Sequence, residues 1–365
     1  MNRRVLVILE AGDAYPSGVI RGLIYRDFFR NARIDARYTS RQWVPLIRFL
    51  FSPPKALAPF LSRAVTAVLY RVADLIAYFK EWAITSRAKG VDVVYMSKVV
   101  SYRLIHRLKQ KTRARLVLDF GDALWLPSAR VHRFEDVLRE VDAVTTDNEM
   151  TARYVMPYNP QCVVIHDCPQ VEEFDRQRNL RRPSSDRITL GWVGTPSTLY
   201  NLFVVWEVLE KLFQKYPQLH LRLLGTGMET RFLPPFEHVR YSCVPRYNQQ
   251  EMIREVLNMD IGLFPLQRVQ ASEVRGILKA TVYMSGEAVA VASAVGQSVA
   301  LIQDGVNGFL ADSAKDWEDK LEMLIREPER RKKMTQAALE TVRKDYTVEK
   351  AFTRLMQVLD GGASR

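Results

Sequence analysis

Cysteine is scarce in this chain. Cys162, Cys168 and Cys243 are too few for a disulfide framework, and no C-x-x-C pair offers a zinc site. A reducing, cytosolic setting fits such a sequence. Long apolar runs are also missing. The longest uncharged stretch, 188–206, is interrupted by Gly191, Gly194, Pro196, Ser197, Thr198 and Asn201, so it reads as strand, loop and helix start rather than a spanning helix. Near the start, Arg3-Arg4 precede only five apolar residues, Val5–Leu9, before Glu10, and no small-residue cleavage site follows. This reads as a buried first strand, not a leader. The glycines after it do not follow G-x-G-x-x-G, so a dinucleotide fingerprint is unsupported. No short repeat is visible.

What the chain does have is positive charge, unevenly spread. The net charge is +12, from 53 basic and 41 acidic residues. Residues 1–118 hold 22 basic against 7 acidic residues, while the remainder is nearly neutral. Such a face suits an anionic partner, lipid or nucleic acid, or is simply solvated. No RNP-like aromatic motif or zinc finger accompanies it, which argues against nucleic acid. Residues 43–86 interleave Trp43, Phe49, Phe51, Phe60, Tyr70, Tyr78, Phe79 and Trp82 with Arg48, Lys55, Arg63, Arg71 and Lys80. That mixture suits helices lying in an anionic membrane interface, and equally core helices with solvated charges.

Strand-like and helix-like runs alternate. Val5–Leu9 leads through a loop with Gly12 and Gly18 to a basic amphipathic helix near 19–31, and strands follow at 91–96, 116–120, 143–147 and 163–165. A polar stretch, Asp175–Asp186, has linker composition. The pattern then restarts with strands at 188–193, 219–224, 239–243, 261–265 and 288–293, and closing helices end with one at 348–359. The expectation is α/β: two doubly wound parallel-sheet domains, 1–180 and 187–345, with a helix at 346–365 crossing back to the first. Ligands in such sheets bind beyond the carboxyl ends of the strands, and the cleft between two facing domains is the expected site.

Five segments carry a resemblance. Arg275–Gly296 reads RGILKATVYMSGEAVAVASAVG, and Asp304-Gly305-Val306-Asn307-Gly308 follows. Gly191–Thr198 reads GWVGTPST, Asp260–Leu266 reads DIGLFPL, and Val117–Trp125 reads VLDFGDALW. In this order they resemble family-4 glycosyltransferases of the GT-B fold, over roughly residues 90–345. The resemblance implies a retaining transferase that takes a UDP- or GDP-linked sugar as donor and needs no metal or other cofactor. The acceptor would be a glycan or lie at a membrane, and one on a lipid carrier would explain residues 43–86.

Arg275 and Lys279, four apart and so on one face of any helix there, suit neutralisation of a departing diphosphate. Gly194, Thr195, Ser197 and Thr198 lie between a strand and a helix, where backbone N–H groups and hydroxyls meet phosphate or simply cap the helix. Asp119 and Asp122, at a strand end, would orient a sugar hydroxyl and complete the candidate catalytic set. Gly12, Gly18, Lys98, Arg246, Glu273, Tyr283, Met284 and Glu287 complete the candidate substrate contacts, and His166 reads as structural. The sequence departs from the family at Val274 and Val282, where glutamates are common, with Glu273 one residue out of register. Glu287 stands where the family has glycine. These departures motivate a second reading, a degenerate GT-B protein that binds a sugar or partner without catalysis. The basic first half places the protein on the inner membrane face in the first reading.

Overall fold

The strands form where β-branched and aliphatic residues run together without interruption, as parallel strands covered on both faces require. The computed structural model describes residues 3–14, 16–46, 63–126, 131–181, 187–227 and 237–362. It divides into two compact units, residues 1–167 with 348–365, and residues 168–347. The first unit therefore ends thirteen residues before the domain limit expected at 180. The helix Val171–Gln177, whose last three residues fall in the expected linker, packs in the second unit against the helix Gln249–Val256.

In the first unit six parallel strands run β1 (Arg4–Leu9), β2 (Asp35–Ser40), β3 (Val93–Ser97), β4 (Arg115–Phe120), β5 (Ala143–Thr146) and β6 (Cys162–Val164). Their order in the sheet is β2-β1-β3-β4-β5-β6. The chain reverses its direction of progress between β1 and β3, so the crevice for a ligand lies beyond Leu9 and Ser97. Leu6, Ile8, Val94, Met96, Leu116 and Leu118 fill one face against helices that include Tyr102–Lys111 and Phe134–Glu140. The helix Val348–Leu359 also belongs here, with Phe352 packed among Tyr25, Phe28 and Phe29.

The expected single helix near 19–31 is instead three short pieces, Pro16–Ile20, Leu23–Tyr25 and Arg26–Asn31, broken at Gly22. A Cβ at residue 22 would lie 2.4 Å from Leu9 Cδ2, so the chain bends where it presses on β1.

The second unit holds β7 (Ile188–Val193), β8 (Leu219–Leu224), β9 (Tyr241–Val244), β10 (Ile261–Phe264), β11 (Val289–Ser293) and β12 (Phe309–Ala311), ordered β12-β11-β10-β7-β8-β9. All pairs are parallel, and this is the strand order of a dinucleotide-binding Rossmann sheet. Its reversal falls between β7 and β10, whose ladder joins only two residue pairs before the strands part.

Candidate functional site

Each unit gathers polar residues beyond the carboxyl ends of its strands, and the two gatherings differ in chemistry. In the second unit β7 ends at Val193, and Gly194 turns the chain under close constraint. A Cβ there would sit 2.3 Å from the Trp192 ring and 2.9 Å from Thr198 Oγ1. Thr195 N–H donates to Thr198 Oγ1 (3.2 Å), and Thr198 N–H returns to the Thr195 carbonyl (2.9 Å), fixing the start of the helical segment Pro196–Val204. Gly225 and Gly227, both at positive φ, close against this turn. A Cβ on residue 225 would overlap the Gly194 carbonyl, to which Tyr247 OH also donates (3.2 Å).

Into this corner reaches Lys279, from the first turn of the helix Leu278–Ser285. Its Nζ donates to Thr198 Oγ1 (3.4 Å) and stands 4.7 Å from the centre of the Trp192 ring. Burial, and then the charge of Arg275, bring the Lys279 ammonium down to about 7. Arg275 precedes the helix, so the two cations do not share one helix face; they act on each other across the turn instead. Among the described residues neither has a carboxylate partner. Ser197 is exposed in the same loop, and Arg246 is exposed after β9.

Three expected contacts are corrected. Tyr283 is fully buried. Its hydroxyl accepts from Val193 N–H (2.8 Å) and donates to the Leu263 carbonyl (3.1 Å), so it replaces the ladder where β7 and β10 part. Met284 is core. Glu287 adopts φ +57°, a conformation that favours glycine, and its carboxylate is held by Arg178 and by Arg181 (2.6 Å). Val274 and Val282 are buried, and Glu273 is exposed with its carbonyl against Gly296.

In the first unit the cations Arg21, Arg41 and Lys98 are each paired with carboxylates. Asp119 is only 1% exposed, and Arg21, 6% exposed, donates to both its oxygens (2.8 and 2.6 Å). Thr145 Oγ1 donates to the same carboxylate (2.6 Å), and Arg21 also pairs with Asp167. Burial opposes the Arg21 charge, but Asp119 and Asp167 hold its pKa well above the ordinary value. Asp119 is thus committed within the unit, which corrects its expected role toward a sugar hydroxyl. Asp122 is exposed and pairs with Lys98, whose backbone sits at φ +60° and donates its N–H to the Asp119 carbonyl (2.7 Å). Asp147 lies buried beside Gly121, and burial, then Asp167, push its carboxyl well up. His166 Nδ1 bonds the Asp147 carbonyl (2.8 Å).

Gly12 and Gly18 meet backbone to backbone, since a Cβ on residue 18 would lie 1.9 Å from the Gly12 carbonyl oxygen. Behind this loop Arg41 bonds Glu10 (2.8 and 2.5 Å) and Glu81 (3.3 Å). Sequence reasoning missed the Arg21 and Arg41 clusters. Arg21 was read as part of a basic amphipathic helix, and only its long-range partners reveal it.

No family model matches the chain, and no curated protein matches it in sequence. Solved structures do match in fold. They define the class first: a GT-B architecture of two Rossmann-like α/β units. Among them is Alr3699/HepE of Anabaena in complex with UDP and glucose, with a TM-score of 0.65, 12% identity, and 98% of this chain and 100% of that one covered. A glycosyltransferase from Rickettsia africae ESF-5 gives 0.67 at 14% identity, covering 99% and 98%. Sucrose-phosphate synthase (tll1590) from Thermosynechococcus elongatus gives 0.67 at 14% identity, covering 99% of both chains.

Proposed function

We propose that the protein is a glycosyltransferase that takes a sugar from a nucleotide-diphosphate donor. The observation that carries this reading is Lys279 against the Gly194–Thr198 turn with Arg275 near it, two cations that have no carboxylate partner among the described residues. A diphosphate supplies the missing negative charge, and N–H groups at the start of Pro196–Val204 add to it. As the sugar–phosphate bond breaks, charge grows on the leaving oxygen, where two fixed cations in a partly dry corner act most strongly. Lys279 takes up a proton as the diphosphate arrives. Relatives in fold that were solved with UDP and with UDP-glucose support a UDP-linked donor, with GDP the alternative to be tested.

The acceptor reading rests on the first unit. Its exposed Asp122 and Lys98 beyond β3 and β4 would orient a glycan hydroxyl, and the outcome would be retention, as the resemblance implies. An acceptor carried on the inner face of an anionic membrane suits the basic charge of residues 1–118 and segment 43–86, of which 47–62 lie outside the described residues. The buried Val274 and Val282 favour a second reading, a GT-B protein that binds sugar or partner without transfer, because neither side chain can hold a ribose. Calorimetry with UDP and GDP, followed by transfer assays from the matching sugars, separates them. Binding with transfer supports the first reading, binding without transfer the second, and no binding of either nucleotide overturns the donor site.

A further inference from the structure

The helix Arg63–Arg87 carries two faces with opposite duties. Val65, Val68, Val72, Leu75, Phe79 and Trp82 recur at alternating spacings of three and four, and each is between 41 and 63% exposed. They form one outer stripe about 26 Å long at 1.5 Å per residue. Exposed apolar surface of this extent marks an interaction face. Half-buried Leu69 and Ile76 widen it on one side. On the other side Arg103 lies over the Tyr78 ring (5.0 Å) and Arg107 over the Trp82 ring (4.3 Å). Among the described residues Arg71, Arg103 and Arg107 have no carboxylate partner, and Arg107 Nη1 finds no acceptor at all.

A partner helix reading this stripe would need complementary charges along both flanks. One flank here is apolar and the other is aromatic and cationic, which is the pattern of an interfacial helix on anionic lipid. No described helix is long and apolar enough to cross a membrane.

The inner face of the same helix carries Glu81, fully buried. Its Oε1 accepts from Ser101 Oγ (2.7 Å), the cap of the helix Tyr102–Lys111, and from Arg41. Arg41 in turn grips Glu10, two residues before Gly12. Gln42 Nε2 donates to Glu10 (2.9 Å), and Gln42 N–H to the Glu10 carbonyl (2.8 Å). Val44 touches the place a Cβ would occupy on residue 12, at 3.0 Å. The network is incompletely satisfied, since Glu81 Oε2 and Gln42 Oε1 are buried without a donor.

We propose that this helix docks on an anionic bilayer along the stripe from Val65 to Trp82, and that docking orders the Gly12 loop through Glu81, Arg41 and Glu10. The inference rests on the membrane-borne acceptor reading. Its test reads binding and loop protection without any sugar transfer, so either can fail while the other stands.

The full chain is mixed with vesicles of phosphatidylcholine, with or without phosphatidylglycerol. Flotation is scored, and hydrogen exchange of the peptide spanning Glu10–Gly12 is followed. Wild type floats with the anionic vesicles only, and exchange at Glu10–Gly12 slows on binding. Phe79→Asp with Trp82→Asp, both at exposed positions, lowers the bound fraction about tenfold or more while leaving the thermal midpoint unchanged. Glu81→Gln floats like wild type but shows no slowing at Glu10–Gly12. Absence of flotation in wild type overturns the proposal. So does dimerisation in sedimentation that Phe79→Asp abolishes without vesicle binding, which would make the stripe a contact between copies. Equal slowing in Glu81→Gln overturns the relay.

Discussion

The two units place cations at the same point of the same kind of sheet, yet treat them oppositely. In the first unit Arg21, Arg41 and Lys98 are each met by carboxylates. In the second, Lys279 has only a hydroxyl and an indole face, and burial, then a neighbouring cation, lower its pKa. A paired buried cation is a structural element whose charge is spent. An unpaired, half-buried one such as Lys279 keeps its charge available, which is what the proposed donor site requires. The difference separates committed charge from available charge more sharply than position in the sheet does.

The largest expected effect tests the paired side. Asp119→Ala takes the bidentate partner from buried Arg21, leaving it Asp167 alone, and costs about 3 kcal/mol, read as a lower urea midpoint. If stability is unchanged, the Arg21 cluster is not scaffold. On the unpaired side, Lys279→Ala lowers UDP affinity about ten- to a hundredfold in calorimetry, the worth of a charged hydrogen bond.

Lys279→Met raises the thermal midpoint near pH 7. The sign follows from linkage. Lys279 titrates near 7 in the folded chain and near the ordinary 10.5 unfolded, so the unfolded chain holds the extra proton between those values. Wild-type stability therefore gains from this group as pH rises from 7 toward 10.5, and the penalty is full below 7. By the same argument UDP binding takes up a proton above pH 7, and affinity falls as pH rises. Calorimetry in buffers of different ionisation enthalpy measures the uptake, and its absence would mean that Lys279 is already charged.

Tyr283→Phe, which strips two backbone groups of their partner at the β7–β10 parting, costs about 1–3 kcal/mol of stability and leaves UDP affinity within twofold. The smallest effect is at Glu287. Replacement by glycine relieves about 1 kcal/mol of left-handed strain but removes the pairs with Arg181 and with Arg178, which keeps Asp175, worth up to about 1 kcal/mol, so the urea midpoint barely moves.

Much of the fold was legible because buried parallel strands must be apolar on both faces. Val5–Leu9 and Ile188–Val193 announce themselves in this way. β2, Asp35–Ser40, does not, because as an edge strand paired only to β1 it is half-exposed and needs no apolar run. The Gly194–Thr198 turn and Lys279 were legible as motifs with a physical reason. Tyr283 and Met284 were not separable from them, since resemblance marks a residue as characteristic without saying whether it faces ligand or core. Glu287 finds its arginines more than a hundred residues away, and no local pattern carries that information. Asp119 was read at the right place with the wrong partner for the same reason: Arg21 lies 98 residues earlier.

The return of the helix Val348–Leu359 to the first unit has a consequence for synthesis. The second unit, residues 168–347, is one continuous piece of chain and can close as it leaves the ribosome. The first unit begins earlier but is finished later, because Tyr25, Phe28 and Phe29 wait for Phe352. Until then Arg3 and Arg115 also lack the carbonyls of Leu359 and Val358. The half made first is thus the half completed last, and it spends translation with an aromatic seam open to solvent and to chaperones.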